Sequence, residues 1–333
     1  MSIKLDNIYC SQWKKFSASK YICENSTHFF FKITDSIHYN TLLTQDYSTY
    51  DSLIKITDQK EHSINNYKKL QKEFNINKIN KIKLKYNFKF KKYIIEDGVH
   101  RLSILLFKNI ITDSINIKYL DIQYDKETIN AIKKELKNTI HKQHYNGWSN
   151  RCEYGYHSYI LGQQILLGQR NPVKRLNIFR KHINFNNKNV IDFGCNTGGM
   201  ILHLPEIKNG IGFDYDKNCI SVANYISNII KYNNNTNFYV HDFDKQSITE
   251  LKINFKPDII FLLSMGSWVK KWKELYNFIC SFQCLIVFET NNDTEGLPQL
   301  NFFRNKNKNI KLISNKSSDD ITNNKGRKTY IIV

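Results

Sequence analysis

Asn189-Val-Ile-Asp-Phe-Gly-Cys-Asn-Thr-Gly-Gly-Met200 runs β-favouring apolar residues straight into a glycine-rich turn, and the chain resumes as Met200-Ile-Leu-His-Leu204. The pattern predicts a strand, a tight loop and the start of a helix. Gly194, Gly198 and Gly199 free the backbone to take positive φ and remove Cβ atoms that would keep a ligand away. Their spacing, G-x-x-x-G-G, is neither the G-x-G-x-x-G of dinucleotide enzymes nor the Walker lysine loop. Alone, the turn is equally an ordinary strand-to-helix connection, and the strands downstream of it decide between the two.

Gly210-Ile-Gly-Phe-Asp214 reads as a second short strand ending in a carboxylate, the place from which an acid accepts hydrogen bonds from ribose hydroxyls. Asn218 to Tyr232 carries Ile220, Val222, Ala223, Ile226, Ile229 and Ile230 at helical spacing. A third strand, Asn237-Phe-Tyr-Val-His241, is followed by Asp242. A fourth, Asp258-Ile-Ile-Phe-Leu-Leu263, opens into Ser264-Met-Gly-Ser-Trp268. Polar residues therefore stand at the carboxyl ends of consecutive strands, where open α/β sheets bind ligands. Cys284-Leu-Ile-Val-Phe-Glu-Thr-Asn291 is apolar over most of its length, as a buried parallel strand should be; Ile310-Lys-Leu-Ile313 and Thr329-Tyr-Ile-Ile-Val333 supply the last two strands.

Val190-Ile-Asp-Phe-Gly-Cys-Asn-Thr-Gly-Gly199, Gly212-Phe-Asp-Tyr-Asp216, His241-Asp-Phe-Asp244 and Asp258-Ile-Ile-Phe261 resemble, in order and spacing, the motifs of class I S-adenosylmethionine-dependent methyltransferases. The resemblance covers roughly Lys188 to the last residue and implies an α/β fold, a Rossmann-like, doubly wound, seven-stranded methyltransferase sheet. It also implies S-adenosyl-L-methionine as cofactor. The Gly194 to Gly198 turn would pack on its methionine part, with Asn196 nearby and Asp192 and Ser264 in the same binding set. Asp214 would hold the ribose diol, Tyr215 would border the adenine, and Asp242 would accept from the adenine amino group with Phe243 beside the ring. Asn196 departs from the usual glycine triplet, although asparagine tolerates left-handed backbone better than most residues. Methylation of pyrimidine C5 needs a nucleophilic thiol, and Cys195 lies in the cofactor loop, badly placed for it.

With 333 residues, 41 % of them hydrophobic, the chain can bury a substantial core, and its length predicts two domains. The expected division is a smaller α+β domain over 1–124, a linker helix within 125–150, and a methyltransferase domain over 151–333 whose segment 151–187 caps it. A net charge of +19 invites a nucleic-acid partner, but the lysines are scattered and accompany an abundance of Asn, Ile and Tyr that an A/T-rich genome imposes by itself. Seven cysteines without a C-x-x-C pair give neither a disulfide framework nor a zinc site. His141, His144 and His157 lack cysteine or carboxylate companions at ligand spacing, so no metal is expected. Met1 to Lys15 lacks the apolar core of a secretory signal, and no apolar run approaches the ~20 residues of a membrane span. The expectation is a soluble cytoplasmic protein without a membrane partner; nothing in the sequence sets its oligomeric state.

In the first part of the chain, Tyr93-Ile-Ile-Glu-Asp-Gly-Val-His-Arg-Leu102 reads as a strand, a turn at Asp97-Gly98 and a helix that turns Leu102, Leu105, Leu106 and Ile110 inward. A helix starting on Gly98, His100 and Arg101 is either an anion seat or a plain connection whose His and Arg are solvated or capping groups. Asp97-Gly-Val-His-Arg-Leu102 is similar to the Gly-x-His-Arg box of the ParB/sulfiredoxin-like fold, which implies binding of nucleotide phosphates such as those of ATP, ADP or CTP. Some members of that fold transfer phosphate; Val99 replaces the sulfiredoxin cysteine, so sulfinic-acid reduction is not implied. Lys78 to Lys92 alternates lysine with apolar residues, as a strand with a solvated basic face does and as a phosphate track does. Lys126 to Lys142 has the spacing of a surface helix, with Ile129, Ile132, Leu136 and Ile140 on one face.

Tyr154-Gly-Tyr-His-Ser158 and Gly162-Gln-Gln-Ile-Leu-Leu-Gly-Gln-Arg170, then Pro172 and Arg175, resemble the segment preceding the cofactor motifs in some methyltransferases, including relatives of those acting on tRNA wobble uridine. The resemblance implies that this segment caps the cofactor and helps to form the acceptor pocket. Tyr156, Gln169, Arg170 and Trp268 are the candidate acceptor contacts, and Arg175 is expected on the surface of a helix from Pro172 to His182. An oxygen acceptor of high pKa needs a base, for which Glu289, at the end of the fifth strand, and His157 are the candidates; Glu289 equally fits a cap of the following turn. Two acceptor classes remain. A sugar, sugar nucleotide or glycan hydroxyl is favoured because no RNA-reading module is visible. RNA is favoured by the charge and the tRNA-type segment. A binding protein with a vestigial cofactor fold is a third reading, against which the intact Asp214 and Asp242 stand.

Overall fold

A computed structural model describes residues 2–13, 22–23, 28–57, 62–78, 80–116, 119–139, 154–230, 235–266, 268–291, 296–320 and 326–333. The chain divides into two compact units, one of residues 2–130 with 161–163, the other of residues 131–160 and 164–333. Ile140, His141 and His144 lie outside the described residues.

The first unit contains β1 (Ser2–Lys4), β2 (Ile8–Trp13), β3 (Ile22–Cys23), β4 (His28–Lys32), α1 (Ile37–Thr44), α2 (Ser48–Thr57), α3 (Ile64–Glu73), β5 (Ile82–Asn87), β6 (Lys92–Asp97), α4 (Val99–Phe107), β7 (Ser114–Asn116), β8 (Leu120–Tyr124) and the start of α5 (Lys126–Lys137). Its main sheet has six strands in the order β3-β4-β2-β6-β5-β8, and β1 pairs with β7. The lysine alternation resolves into β5, where Ile82, Leu84 and Tyr86 are buried and Lys83 and Lys85 face out, the period of a strand with one solvated face. Ser36 caps α1 by accepting from the Tyr39 N–H at 3.2 Å. Helices α1 to α4 share a core of Ile37, Leu42, Tyr50, Leu53, Ile54, Tyr67 and Ile104. Leu102, Leu105 and Leu106 are buried as expected, whereas Ile110 falls past the end of α4 and is 44 % exposed.

The second unit adds β9 (Tyr159–Leu161), β10 (Gln164–Leu166), α6 (Pro172–Phe179), β11 (Asn189–Phe193), α7 (Gly199–Leu202), β12 (Asn209–Asp214), α8 (Lys217–Ile230), β13 (Thr236–Val240), β14 (Ile259–Leu263), α9 (Trp272–Cys280), β15 (Leu285–Glu289), α10 (Leu297–Asn305), β16 (Ile310–Ser314) and β17 (Thr329–Ile332). Seven strands form one sheet in the order β13-β12-β11-β14-β15-β17-β16, parallel from β13 to β15, with β17 antiparallel to both neighbours. All five residues of β14 are buried, as a central strand covered on both faces requires. The chain leaves β11 towards β12 and β13 on one side and returns to β14 and β15 on the other. This reversal opens a crevice at the carboxyl ends of β11, β12 and β14. Among the described residues no helix is long and apolar enough to cross a membrane, and no group of three His, Cys, Asp or Glu is placed to hold a metal.

Candidate active site

The glycine turn after β11 takes the geometry its sequence demands. Gly194 (φ +77°) and Gly198 (φ +76°) are left-handed, and Asn196 between them adopts φ +49°. A Cβ on Gly198 would stand 2.5 Å from the Phe238 ring, so any larger residue would have to displace that ring and strain the backbone. The N–H groups of Gly194 and Cys195 both donate to Phe213 O, at 2.8 and 2.9 Å, which ties the turn to β12. Asp214, ending β12, accepts from the Asn196 N–H at 2.8 Å and from the Asp216 N–H at 3.0 Å. Burial pushes its carboxyl upwards while these backbone N–H groups oppose the shift.

In front of this turn lies a cavity of about 270 Å³ lined by Gly194, Asn196, Asp214, Tyr215, Asp216 and Phe243 on one side and by Leu263, Ser264, Met265, Trp268, Val269, Tyr156 and Arg327 on the other. The lining fits an adenosine carrying a short charged arm. The glycine turn lets such a ligand approach the backbone, and Asp214 keeps lone pairs for a ribose diol. The Tyr215 ring, 67 % exposed, and the buried Phe243 ring offer faces for a base. Ser264, at the end of β14, holds φ +59°, a strained conformation for a residue with a Cβ. It is fixed there by its N–H, which donates to Glu289 O at 3.0 Å, and by its hydroxyl, which donates to the Glu289 carboxylate.

Several expected site residues do not reach this cavity. Asp192 is 2 % exposed within β11; burial, reinforced by Asp214 and opposed by Arg175, raises its carboxyl to about 8, so it is protonated at neutral pH. Gly198 shapes the turn without facing the cavity. Asp242 sits outside it, with Oδ2 ion-paired to Lys245 at 3.0 Å and Oδ1 accepting from the Asp244 N–H at 3.0 Å. His157 is 2 % exposed, and its Nδ1 accepts from the Gly199 N–H at 3.3 Å. Burial, then the charges of Arg175 and Arg170, hold the imidazole well below its usual pKa. It is a neutral acceptor locked against α7 and a poor general base.

Arg170 and Glu289 form the centre of a buried ionic floor, and neither lines the cavity. Arg170 donates through Nε and Nη2 to Asp319 at 2.7 and 3.1 Å, and through Nη1 and Nη2 to Glu289 at 3.1 Å each. With Tyr156 Oη 3.5 Å from Nη1, every N–H of this fully buried guanidinium has a partner. Gln169 donates to Asp320 at 3.1 Å. Arg175, expected at the surface of its helix, is 2 % exposed with Nη2 2.6 Å from Glu289 Oε1. Burial alone would raise the Glu289 carboxyl; Arg170 and Arg175 override it and hold the group well below the carboxylate range. A carboxylate so engaged is held ionised by the two arginines and ties β15 to the segment around Arg170 and Arg175.

Arg327, Asp216, Leu263, Met265 and Val269 line the cavity and were not anticipated as site residues. Asp216 belongs to the Gly212-Phe-Asp-Tyr-Asp216 motif, so its signal was present; Arg327 follows Gly326 ahead of the last strand with no pattern to mark it.

In the first unit the Gly98 to Arg101 box is placed differently from the phosphate seat expected of it. Tyr50 Oη donates to His62 O at 2.6 Å, so at its 2.6 Å contact with His100 Nε2 the imidazole is the donor. His100 packs edge-on to His38 and stacks on His62, with ring centroids 4.5 and 4.8 Å away. Burial, then His38, His62 and Arg101, bring its pKa down to about 2. It is a half-buried imidazole held neutral among these rings. Arg101 pairs with Asp97 at 2.8 Å, donates to Asn80 O at 3.0 Å, and borders a shallow hollow with Lys69 and Lys78.

Residues 169–317 match the family model described as a methyltransferase domain. Among solved structures, the chain is similar to EvdMO1 (11 % identity, 62 % of this chain and 47 % of that one, TM-score 0.44). It is similar also to a complex between the Haloferax volcanii Trm112 methyltransferase activator and a methyltransferase (13 %, 49 % and 88 %, TM-score 0.39). A third likeness is to WbdD (17 %, 48 % and 35 %, TM-score 0.38). The chain spans 47 % of EvdMO1 and 35 % of WbdD, and no likeness at these values bears on the acceptor. No curated protein matches the sequence. With the strand order, the glycine turn and the match over residues 169–317 in hand, the C-terminal half of the chain carries a methyltransferase domain on a Rossmann-like, seven-stranded sheet of the class I S-adenosylmethionine-dependent type.

Proposed function

We propose that this unit transfers a methyl group to an oxygen of a small polar acceptor of the sugar or sugar-nucleotide class. The observation that carries the reading is the cavity itself. Its Asp214, Tyr215 and Phe243 side suits the adenosine of the cofactor, and its far side brings the Tyr156 and Ser264 hydroxyls, the Arg327 guanidinium and the largely exposed Trp268 indole into about 270 Å³. Such a hollow, apolar with a few convergent polar groups, suits a small molecule. When bound, S-adenosylmethionine supplies an electrophilic methyl on a sulfonium that is already a good leaving group. The chain's task is alignment and exclusion of water. The Gly194 turn and Asp214 fix the adenosyl end, and Leu263, Met265 and Val269 keep the reacting centre dry.

RNA is the competing acceptor, supported by the net charge of +19. Transfer of labelled methyl to sugar-nucleotide and to RNA pools, with retention on heparin across a salt series, separates the two. Transfer to small molecules with weak, salt-insensitive retention is expected. Transfer to RNA with affinity falling steeply in salt would overturn the sugar reading. The division of labour proposed leaves the chemistry to residues 151–333. Phosphate binding in the first unit now rests on Arg101, Lys69 and Lys78, without His100.

A further inference from the structure

Two arginines of this site differ in what holds them. Arg170 has a partner for every N–H. Arg327 is 9 % exposed and lines the cavity, yet among the described residues Nη1 makes only two hydrogen bonds, both long, 3.3 Å to Ser264 Oγ and 3.4 Å to Tyr156 Oη. Its Nε–H has no hydrogen-bond partner among the described residues. Among the described residues the carboxylate oxygen at ion-pair distance, Glu289 Oε1, is 3.9 Å away and already engaged by Arg170, Arg175 and the Ser264 hydroxyl. A buried guanidinium with unmet donors is costly unless a ligand completes its shell.

We propose that Arg327, with the Tyr156 hydroxyl, recognises a carboxylate or phosphate group carried by the methyl acceptor, so that the acceptor is an anion at neutral pH. The planar fork of a guanidinium matches either oxyanion, and the apolar surroundings of Leu263, Met265 and Val269 strengthen the contact. Strand order assigns the group to the acceptor. Asp214 ends β12 on one side of β11, whereas Arg327 precedes β17, beyond β14 and β15 on the other side. A cofactor held by its ribose at Asp214 therefore leaves the Arg327 end to the molecule that meets its methyl. The assignment rests on the reading of this cavity as the cofactor and acceptor site.

The test uses the full chain saturated with S-adenosylhomocysteine and follows melting temperature against inorganic phosphate, D-glucuronate and D-glucose. Phosphate and glucuronate should stabilise the wild type and glucose should not. Arg327→Met should weaken anion binding about tenfold or more while S-adenosylhomocysteine affinity stays within about threefold. Should the methionine variant fail to fold, Arg327→Lys, which keeps the charge and loses the fork, and Tyr156→Phe are each expected to weaken anion binding by about threefold or more. The proposal is overturned if neither anion binds the wild-type complex or if these variants bind the anions as the wild type does. It is overturned too if an Arg327 variant loses S-adenosylhomocysteine about tenfold while binding 5′-methylthioadenosine, which lacks the amino-acid arm, unchanged; the guanidinium would then hold the cofactor's own carboxylate. A wild type that does not bind S-adenosylhomocysteine brings down the reading of the cavity itself, an outcome distinct from all of these.

Discussion

Two sets of charged residues share the carboxyl rim of the C-terminal sheet. Arg170, Arg175, Glu289, Asp319 and Asp320 are buried almost without exposure, and Arg170 and Arg175 offset the carboxylate charges at ion-pair distance. Asp214, Asp216 and Arg327 face a cavity. The same residue types therefore do opposite work within one rim. Charges paired with one another build the floor and set Ser264 in its strained conformation, while charges that line the cavity are the ones a ligand can reach. Burial alone does not separate the two sets, since Asp214 and Arg327 are themselves 6 % and 9 % exposed. What separates them is where they face: the first set meets in ion pairs with one another, and the second lines the cavity.

The most severe way to break this contrast is to cut the floor. Glu289→Ala strands the Arg170 and Arg175 charges, and a loss of about 3–5 kcal/mol in the unfolding free energy is expected from denaturant titration. Were Glu289→Gln to keep its stability and lose methyl transfer, Glu289 would be a base after all and the contrast would fail. Asp214→Ala attacks the other set. It should reduce S-adenosylhomocysteine affinity about a hundredfold, near 2.7 kcal/mol by calorimetry, and leave the melting temperature within a few degrees.

The smallest effect concerns Asp192, which lies between the sets. Its folded-state pKa of about 8 exceeds the ~3.9 of an unfolded aspartate. Between those values the unfolded chain has released a proton that the folded chain retains, so this group's contribution to stability is full below the lower value and is lost as pH rises through the upper one. The wild type should lose melting temperature from pH 6 to 9. Asp192→Asn, which mimics the protonated form, should flatten that slope. Parallel slopes for both proteins would show that Asp192 is ionised in the fold.

Much of the fold was legible because it rests on local patterns. Apolar runs of strand length ending in Phe193, Asp214, Leu263 and Glu289, separated by helical spacing such as that of Ile220 to Ile230, marked the parallel sheet. Of the residues singled out from sequence, Gly194, Asn196, Asp214, Tyr215 and Phe243 line the cavity, because they stand at or just after the carboxyl ends of β11, β12 and β13. The ionic floor was not. Arg170 meets Glu289 at a separation of 119 residues and Asp319 at 149, and no spacing rule couples positions so distant. His157, Glu289 and Arg170 look reactive in one dimension because sequence shows a side chain's chemistry without its neighbours. His100 misled for the same reason, through the Tyr50, His38 and His62 rings that close around it.

By itself the sequence determined that a glycine turn follows a buried strand, that acids stand at successive strand ends, and therefore that this half of the chain handles an adenosyl group. Those features follow from backbone conformation and side-chain periodicity, which act over a few residues. Only the tertiary structure decided which charges are spent on one another and which, like Arg327, are left facing the cavity. Pairing a buried charge depends on distance in space, and that distance exists only after the sheet has brought the two ends of the domain together.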